Sequence, residues 1–297
     1  MISNKKIALL GGDTRQIALT ERLCANGLAV RSFGLPHEML TDGVQAVAAW
    51  REAVEEASAV LLPLPVSPDG RRLNAPLYLE WEPPLLSDVL DAVPKGSLVA
   101  GGRFSPSLKA MAQEKGVWIY DYFSSEALQQ KNALPTAEGA VSILMREVPR
   151  TVSGLSVGIT GFGRVAKALA RLLVAMDARV TVIARKQEQL AEAVEMGCRT
   201  VLLDGADALA RFMRGQSAVF NTVPYWLFTD EVLKRASATP LLIDLASAPG
   251  GVDANAAQAA GVKVIWALSL PGKYAPVTAG EIIADTVLDY MREEGVL

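Results

Sequence analysis

The stretch "LSVGITGFGRVAKALARLL" (Leu155–Leu173) decides the fold. A short apolar run rich in β-branched residues reads as a buried strand, and the segment after the glycines reads as a helix. Between them lies Gly161-Phe162-Gly163-Arg164-Val165-Ala166. In such a turn the first glycine allows the tight reversal and the second lets a pyrophosphate approach the backbone. A small third residue, here Ala166, lets helix and strand pack closely. The helix N-terminus then offers unpaired N–H groups and a positive dipole end to phosphate. The stretch therefore predicts a dinucleotide site; a merely structural turn is the alternative.

The next strand, "RVTVIARK" (Arg179–Lys186), sharpens the prediction. A strand in this place commonly ends in Asp or Glu, which holds the ribose hydroxyls of NAD. Here it ends in Ala184, and Arg185 and Lys186 follow. Alanine removes the repulsion that a carboxylate would exert on a 2′-phosphate, and the two cations supply donors for it. NADP is the expected cofactor, bound by Gly161, Phe162, Gly163, Arg164, Val165, Ala184, Arg185 and Lys186. The other reading leaves both cations solvated at a helix start.

Outward from this point, short apolar runs alternate with helical patterns. Residues 1–132 carry "KIALLGG", "AVRSFG", "AVLLPLP", "SLVAGG" and "VWIYDY". Residues 151–277 carry "LSVGITG", "RVTVIA", "CRTVLL", "SAVFNTVP", "PLLIDLAS" and "VKVIWAL". The alternation signals parallel sheets covered by helices. The expected class is α/β, with two Rossmann-like, doubly wound parallel-sheet domains and an interdomain cleft. Residues 133–150 are expected to form a connecting helix, with a hinge near Lys131–Thr136. Residues 278–297 are expected to form a helix that packs back on the first domain, with Thr278 and Glu281 as a capping box. Strand-end loops place Asn221, Thr222, Val223 and Pro224, and then Asp244, Ala246, Ser247, Gly250 and Gly251, along the nicotinamide half of the site. Ordinary βα turns would also explain them.

Composition excludes several classes. Of 297 residues, 51% are apolar, and the net charge is −3 from 29 basic and 32 acidic residues. That balance gives no general attraction to nucleic acid or to anionic membrane. The apolar run after the basic residues in "MISNKKIALLGG" is too short for a signal peptide, and no segment is long enough to span a bilayer, so a cytoplasmic protein is expected. Cys24 and Cys198 lack metal or redox spacing and are expected to be inert core thiols. His37 is the single histidine. A multi-histidine metal site is thereby excluded and no metal is expected; a serine triad would need His37.

Candidate substrate residues follow the remaining strands. Arg15 in "GGDTRQ", Ser67 in "PLPVS", Arg103 in "GGRF" and Lys273 in "LPGKYAPVTAGE" would suit a dicarboxylate. Asn132, Thr136 and Glu138 in "KNALPTAEGA" sit at the crossing between domains. Capping or surface roles explain each nearly as well.

Taken in order, "GGDTRQ", "PLPVS", "NALPTAEGA", "GFGRVA", "NTVP", "DLASAPGGVD" and "LPGKYAPVTAGEII" resemble the dipicolinate synthase A subunits over essentially the whole chain. The architecture also resembles the two-domain hydroxyacid and alanine dehydrogenases. The resemblance implies NADP-dependent oxidation of dihydrodipicolinate, the product of dihydrodipicolinate synthase on the lysine-pathway branch, to dipicolinic acid. The setting it implies is the mother-cell cytoplasm of a sporulating bacterium. The partner it implies is the flavoprotein-like B subunit of dipicolinate synthase, with a homo-oligomer left open. If water must first be eliminated from a hydroxy-tetrahydro precursor, Glu138 and Lys273 are the candidate proton carriers; loss of a ring proton needs only a weak base or water. Two other readings stand beside it. One is a hydroxyacid- or alanine-type dehydrogenase, whose usual histidine base only His37 supplies; the other is a non-catalytic NADP(H)-binding regulatory protein.

Overall fold

The computed structural model describes residues 5–79 and 82–297. The first four residues of the stretch read for a signal peptide lie outside them. The chain forms two compact units, 1–132 with 275–297, and 133–274.

Unit 1 holds β1 (Lys6–Leu10), α1 (Thr14–Ala25), β2 (Ala29–Phe33), β3 (Val44–Ala46), α2 (Trp50–Val54), β4 (Ala59–Leu61), α3 (Leu86–Ala92), β5 (Leu98–Gly101), α4 (Pro106–Glu114), β6 (Trp118–Asp121) and α5 (Glu126–Lys131). Unit 2 holds α6 (Ala133–Glu147), β7 (Ser156–Thr160), α7 (Arg164–Ala175), β8 (Arg179–Ala184), α8 (Gln187–Glu195), β9 (Arg199–Leu202), α9 (Ala206–Met213), β10 (Ala218–Asn221), α10 (Asp230–Ala236), β11 (Leu241–Asp244), α11 (Ala254–Ala259), β12 (Val264–Trp266) and α12 (Leu270–Tyr274). The last helix, α13 (Pro276–Glu293), returns to unit 1.

Each unit has one six-stranded sheet, in the orders β3-β2-β1-β4-β5-β6 and β12-β11-β10-β7-β8-β9. All the pairings within them are parallel. Counted from its own first strand, each sheet has the order 3-2-1-4-5-6 of dinucleotide-binding folds. The central strands are buried on both faces, which explains their continuous apolar runs. β3 escapes such a reading because it is short and half exposed.

Helix faces follow from spacing. On α7 the buried residues are Ala166, Leu169, Ala170 and Leu173, an i, i+3, i+4, i+7 stripe. Full burial of a leucine contributes roughly 1.5–3 kcal/mol. The helix expected to connect the domains, α6, is part of unit 2, where it packs on α7 and α12. A Cβ at Gly139 would come within 3.0 Å of both Leu270 and Tyr274, so glycine lets α6 and α12 approach. In unit 1, α13 crosses α1 at Gly280, where a Cβ would lie 2.2 Å from the Arg15 carbonyl oxygen. α13 starts earlier than its expected capping box. Ala275 is the N-cap and Pro276 opens the helix, leaving Thr278 inside the first turn. Proline favours that place because its fixed φ is already helical and its missing N–H is not needed there.

Cys198 is buried and Cys24 half-buried; both are free thiols whose pKa burial raises. His37 sits exposed in a single turn of 3-10 helix after β2. Among the described residues, no helix is long and apolar enough to cross a membrane.

Candidate functional site

In unit 2 the order of strands reverses between β7 and β10, and the glycine turn follows β7. Gly161 has φ +75° and donates its N–H to the Ile183 carbonyl at 2.8 Å. A Cβ there would lie 2.7 Å from Val223 Cγ2. The turn is thus closed to any other residue on two counts. Phe162 is buried. Gly163 is the N-cap of α7 and brings no side-chain cap; a Cβ added to it would meet no atom within 4 Å. Ala166 is fully buried where helix meets sheet. Tight turn, open cradle and close packing are the three features a pyrophosphate site needs, so these residues fit a dinucleotide. Arg164 and Val165 form the first turn above it.

β8 lies beside β7 and ends in the buried Ala184. Arg185 and Lys186 follow, both exposed, and Lys186 is the N-cap of α8. No carboxylate stands at the end of this strand.

The walls after β10 and β11 are tied by a buried network. The Thr160 hydroxyl donates to Asn221 Oδ1 at 2.6 Å, and Asn221 Nδ2 donates to Asp244 Oδ1 at 2.8 Å. Asn221 also brackets Val223, accepting its N–H and donating to its carbonyl. Asp244 accepts the N–H groups of Ala246 and Gly251. Asn221 and Asp244 are each 1% exposed. The expectation that both line the ligand is corrected: their polar atoms are engaged internally, so they fix the shape of the loops. Thr222 donates to the Thr160 carbonyl at 2.7 Å. Pro224 and Ser247 are exposed and Ala246 is buried.

Unit 1 uses the same ground plan differently. Gly11, with φ +63°, donates to the Phe33 carbonyl at 2.8 Å, as Gly161 does to Ile183. Gly12 donates to the Asn74 carbonyl at 2.8 Å, and a Cβ on Gly11 would come 2.8 Å from that same oxygen. The segment Leu73–Ala75 therefore covers this turn. Asp13 and Gln16 form a complete capping box on α1. Arg15, expected to clamp a substrate carboxylate, is only 5% exposed. Its Nε and Nη2 donate to Asp13 at 2.9 and 2.8 Å, and Nη2 also reaches the Leu64 carbonyl. Against that expectation, the Arg15 Nε and Nη2 are already engaged inside unit 1.

The other candidates divide. Ser67 donates to Asp69, which also accepts the N–H groups of Arg71 and Arg72; together these bonds hold Asp69 down at about 2. Arg103 is exposed, with its guanidinium 5.7 Å from the centre of the Phe123 ring. Its φ of +63° is held by Asp121, which accepts the N–H groups of Arg103 and Phe104. A non-glycine residue kept in this region stores strain, which is frequent at ligand-binding positions. Glu138 on α6 and Lys273 on α12 are both exposed, on helices that pack against each other. Asn132 ends α5 and Thr136 lies in the first turn of α6; both are half-buried and engaged. The reading from sequence missed the Asn74 cover and the exposed pair Tyr225–Trp226. Two adjacent aromatics just after Pro224 were the available signal for that pair.

A parallel sheet of this order, with an open Gly-x-Gly-x-x-Ala turn at its switch point, defines a dehydrogenase-type domain for a nicotinamide cofactor. Residues 119–249 match the NAD binding domain of D-isomer specific 2-hydroxyacid dehydrogenases. The fold of an L-alanine dehydrogenase is also shared, with TM-score 0.65 at 15% identity over 98% of this chain and 90% of that one. Residues 6–123 match the family described as the N-terminal domain of the dipicolinate synthase A subunit. Over 99% of its length the chain is 28% identical to the dipicolinate synthase A subunit of Bacillus subtilis (strain 168), covering 98% of that protein. It superposes on the crystal structure of the dipicolinate synthase A subunit from Bacillus halodurans with TM-score 0.89. The identity there is 27%, over 98% of this chain and 99% of that one. The resemblance carried by the motifs thus extends from end to end.

Proposed function

We propose that this chain oxidises dihydrodipicolinate to dipicolinate with NADP+, as the A subunit of a sporulation-specific enzyme in the mother-cell cytoplasm. The observation that carries the reading is the open cradle at Gly163 beside a strand that ends Ala184-Arg185-Lys186, without an acid. The N–H groups of α7 hold the pyrophosphate, and Arg185, with Lys186, holds the 2′-phosphate. Thr222, Val223, Pro224, Ala246 and Ser247 line the far half. The bound nicotinamide supplies a hydride acceptor. Aromatisation of the ring also releases one proton, which water or a weak base can take; Glu138 and Lys273 are the candidate carriers where water must first be eliminated from a hydroxy-tetrahydro precursor. The exposed cations Arg103 in unit 1 and Lys273 in unit 2 are each a candidate for a substrate carboxylate, as are Ser67, Asn132 and Thr136 for further contacts. Since aromatisation is strongly favourable, the main task of the protein is orientation.

The similarity to a named A subunit supports a second polypeptide in the enzyme, for which the flavoprotein-like B subunit is the proposed partner. The test is to assay the purified chain alone and with that partner, following dipicolinate formation and NADPH absorbance together. Coupled formation of both is the expected result. Cofactor binding without turnover in any combination would replace the proposal with a non-catalytic NADP(H)-binding protein.

A further inference from the structure

Between β10 and α10 the chain presents two adjacent aromatic side chains, Tyr225 and Trp226, which are 68% and 51% exposed. They stand on a loop whose two ends are pinned. On one side Asn221 brackets Val223 from both N–H and carbonyl, and Tyr225 N–H donates to the Val223 carbonyl at 2.9 Å. On the other, Leu227 and Phe228 both donate to the Gly251 carbonyl, at 3.0 and 2.9 Å, and Phe228 is fully buried. Loose loops often expose apolar residues at no great cost. Here a loop held by a buried Thr160–Asn221–Asp244 network exposes two large rings, and ordered exposed aromatics mark surfaces that something covers.

Their place in the sheet narrows what covers them. The loop leaves the carboxyl end of β10, next to β7 on the side away from β8. Val223, in the same loop, packs against Gly161 of the pyrophosphate turn. The Arg185 end of the cofactor site lies at β8, so the β10 loop belongs to the opposite, reacting half. The segment Thr222–Thr229 carries no charged side chain, so it offers ring faces rather than ion pairs.

We propose that Tyr225 and Trp226 form the stacking surface on which the substrate's nitrogen ring flattens as it aromatises, leaving its carboxylates to cations elsewhere. This inference rests on the functional reading above. It commits to a nitrogen heterocycle with carboxylate substituents that becomes planar on oxidation. The aromatic faces set the plane of that ring while the substrate's charges set its position.

The test uses the full chain with saturating NADP+ and dipicolinate as the probe, followed by calorimetry and by tryptophan emission. The variants are Tyr225→Ala/Trp226→Ala together and Trp226→Phe alone. The expected result is about tenfold weaker dipicolinate binding in the double alanine variant, the scale of a lost aromatic pair, with NADP+ affinity unchanged. Trp226→Phe keeps the affinity but loses the emission change on binding. Unchanged dipicolinate affinity in a folded double variant would overturn the stacking surface alone. Equal losses of NADP+ and dipicolinate would also overturn it, giving the pair to the nicotinamide. A native chain that binds NADP+ but no dipicolinate would overturn the functional reading together with it.

Discussion

The two units share a strand order and the start of a turn, then part at one residue. In each, a glycine after the first strand donates its N–H to the end of the second strand, Gly11 to Phe33 and Gly161 to Ile183. Two residues later comes the helix N-cap, which is Asp13 in unit 1 and Gly163 in unit 2. Asp13 caps its own helix, binds Arg15, and lies in a turn that Asn74 covers. Gly163 brings nothing to its helix and has open space where a side chain would go. An identical topology thus yields one capped, covered turn and one turn left open. Topology sets where a ligand can sit, and the cap residue decides whether it does.

Moving the cap should have the largest effect. Gly163→Asp gives unit 2 the residue of unit 1. Its carboxylate would take the first-turn N–H groups and repel the pyrophosphate, so NADP(H) affinity should fall by more than about 100-fold. Thermal stability should hold or rise, because Asp is a good N-cap. Calorimetric titration and a melting curve on the same preparation check both. In the closed turn of unit 1, Gly12→Ala should cost about 1–3 kcal/mol at its φ of +99° with NADP(H) affinity unchanged.

Arg185→Ala comes next. It should weaken NADP(H) by about 10–100-fold, the scale of a lost charge-assisted hydrogen bond, and leave NAD(H) nearly unchanged. Equal losses for both would return the NADP preference to other contacts. In unit 1, Asp13→Ala should cost about 2 kcal/mol in urea unfolding, from the lost cap and from a buried Arg15 left without its counter-charge. NADP(H) affinity should not follow. The smallest effect concerns Asp69. Its carboxylate should titrate near 2 by NMR, and Ser67→Ala should raise that midpoint. Because the folded value is depressed, the contribution of this turn is complete above the ordinary carboxylate range. It disappears as pH falls toward 2.

How much of this the sequence disclosed depends on the range of the interaction. The glycine turn and the strand that ends at Ala184 are local patterns, and each is legible. The closed turn of unit 1 is not, because Asn74 lies far along the chain from Gly12 and no local signal links them. Arg15 misleads for a mixed reason. Its partner Asp13 stands two residues away and is visible, whereas its burial under the β4 loop is not. Asn221 and Asp244 read as ligand-facing because buried polar residues at strand ends have two uses, facing a ligand or tying loops. Only their mutual distance separates the two. The expected capping box at Thr278 fails because Pro276 outweighs the Thr-x-x-Glu pattern in setting where the helix starts.

Unit 2 is expected to bind the dinucleotide, and unit 1, with the same topology, is not. Calorimetric titration of the native chain with NADP+ tests it most directly, with Gly163→Asp as the paired sample. One site per chain is expected, lost in the variant. Two sites per chain, or one site that survives Gly163→Asp, would contradict it.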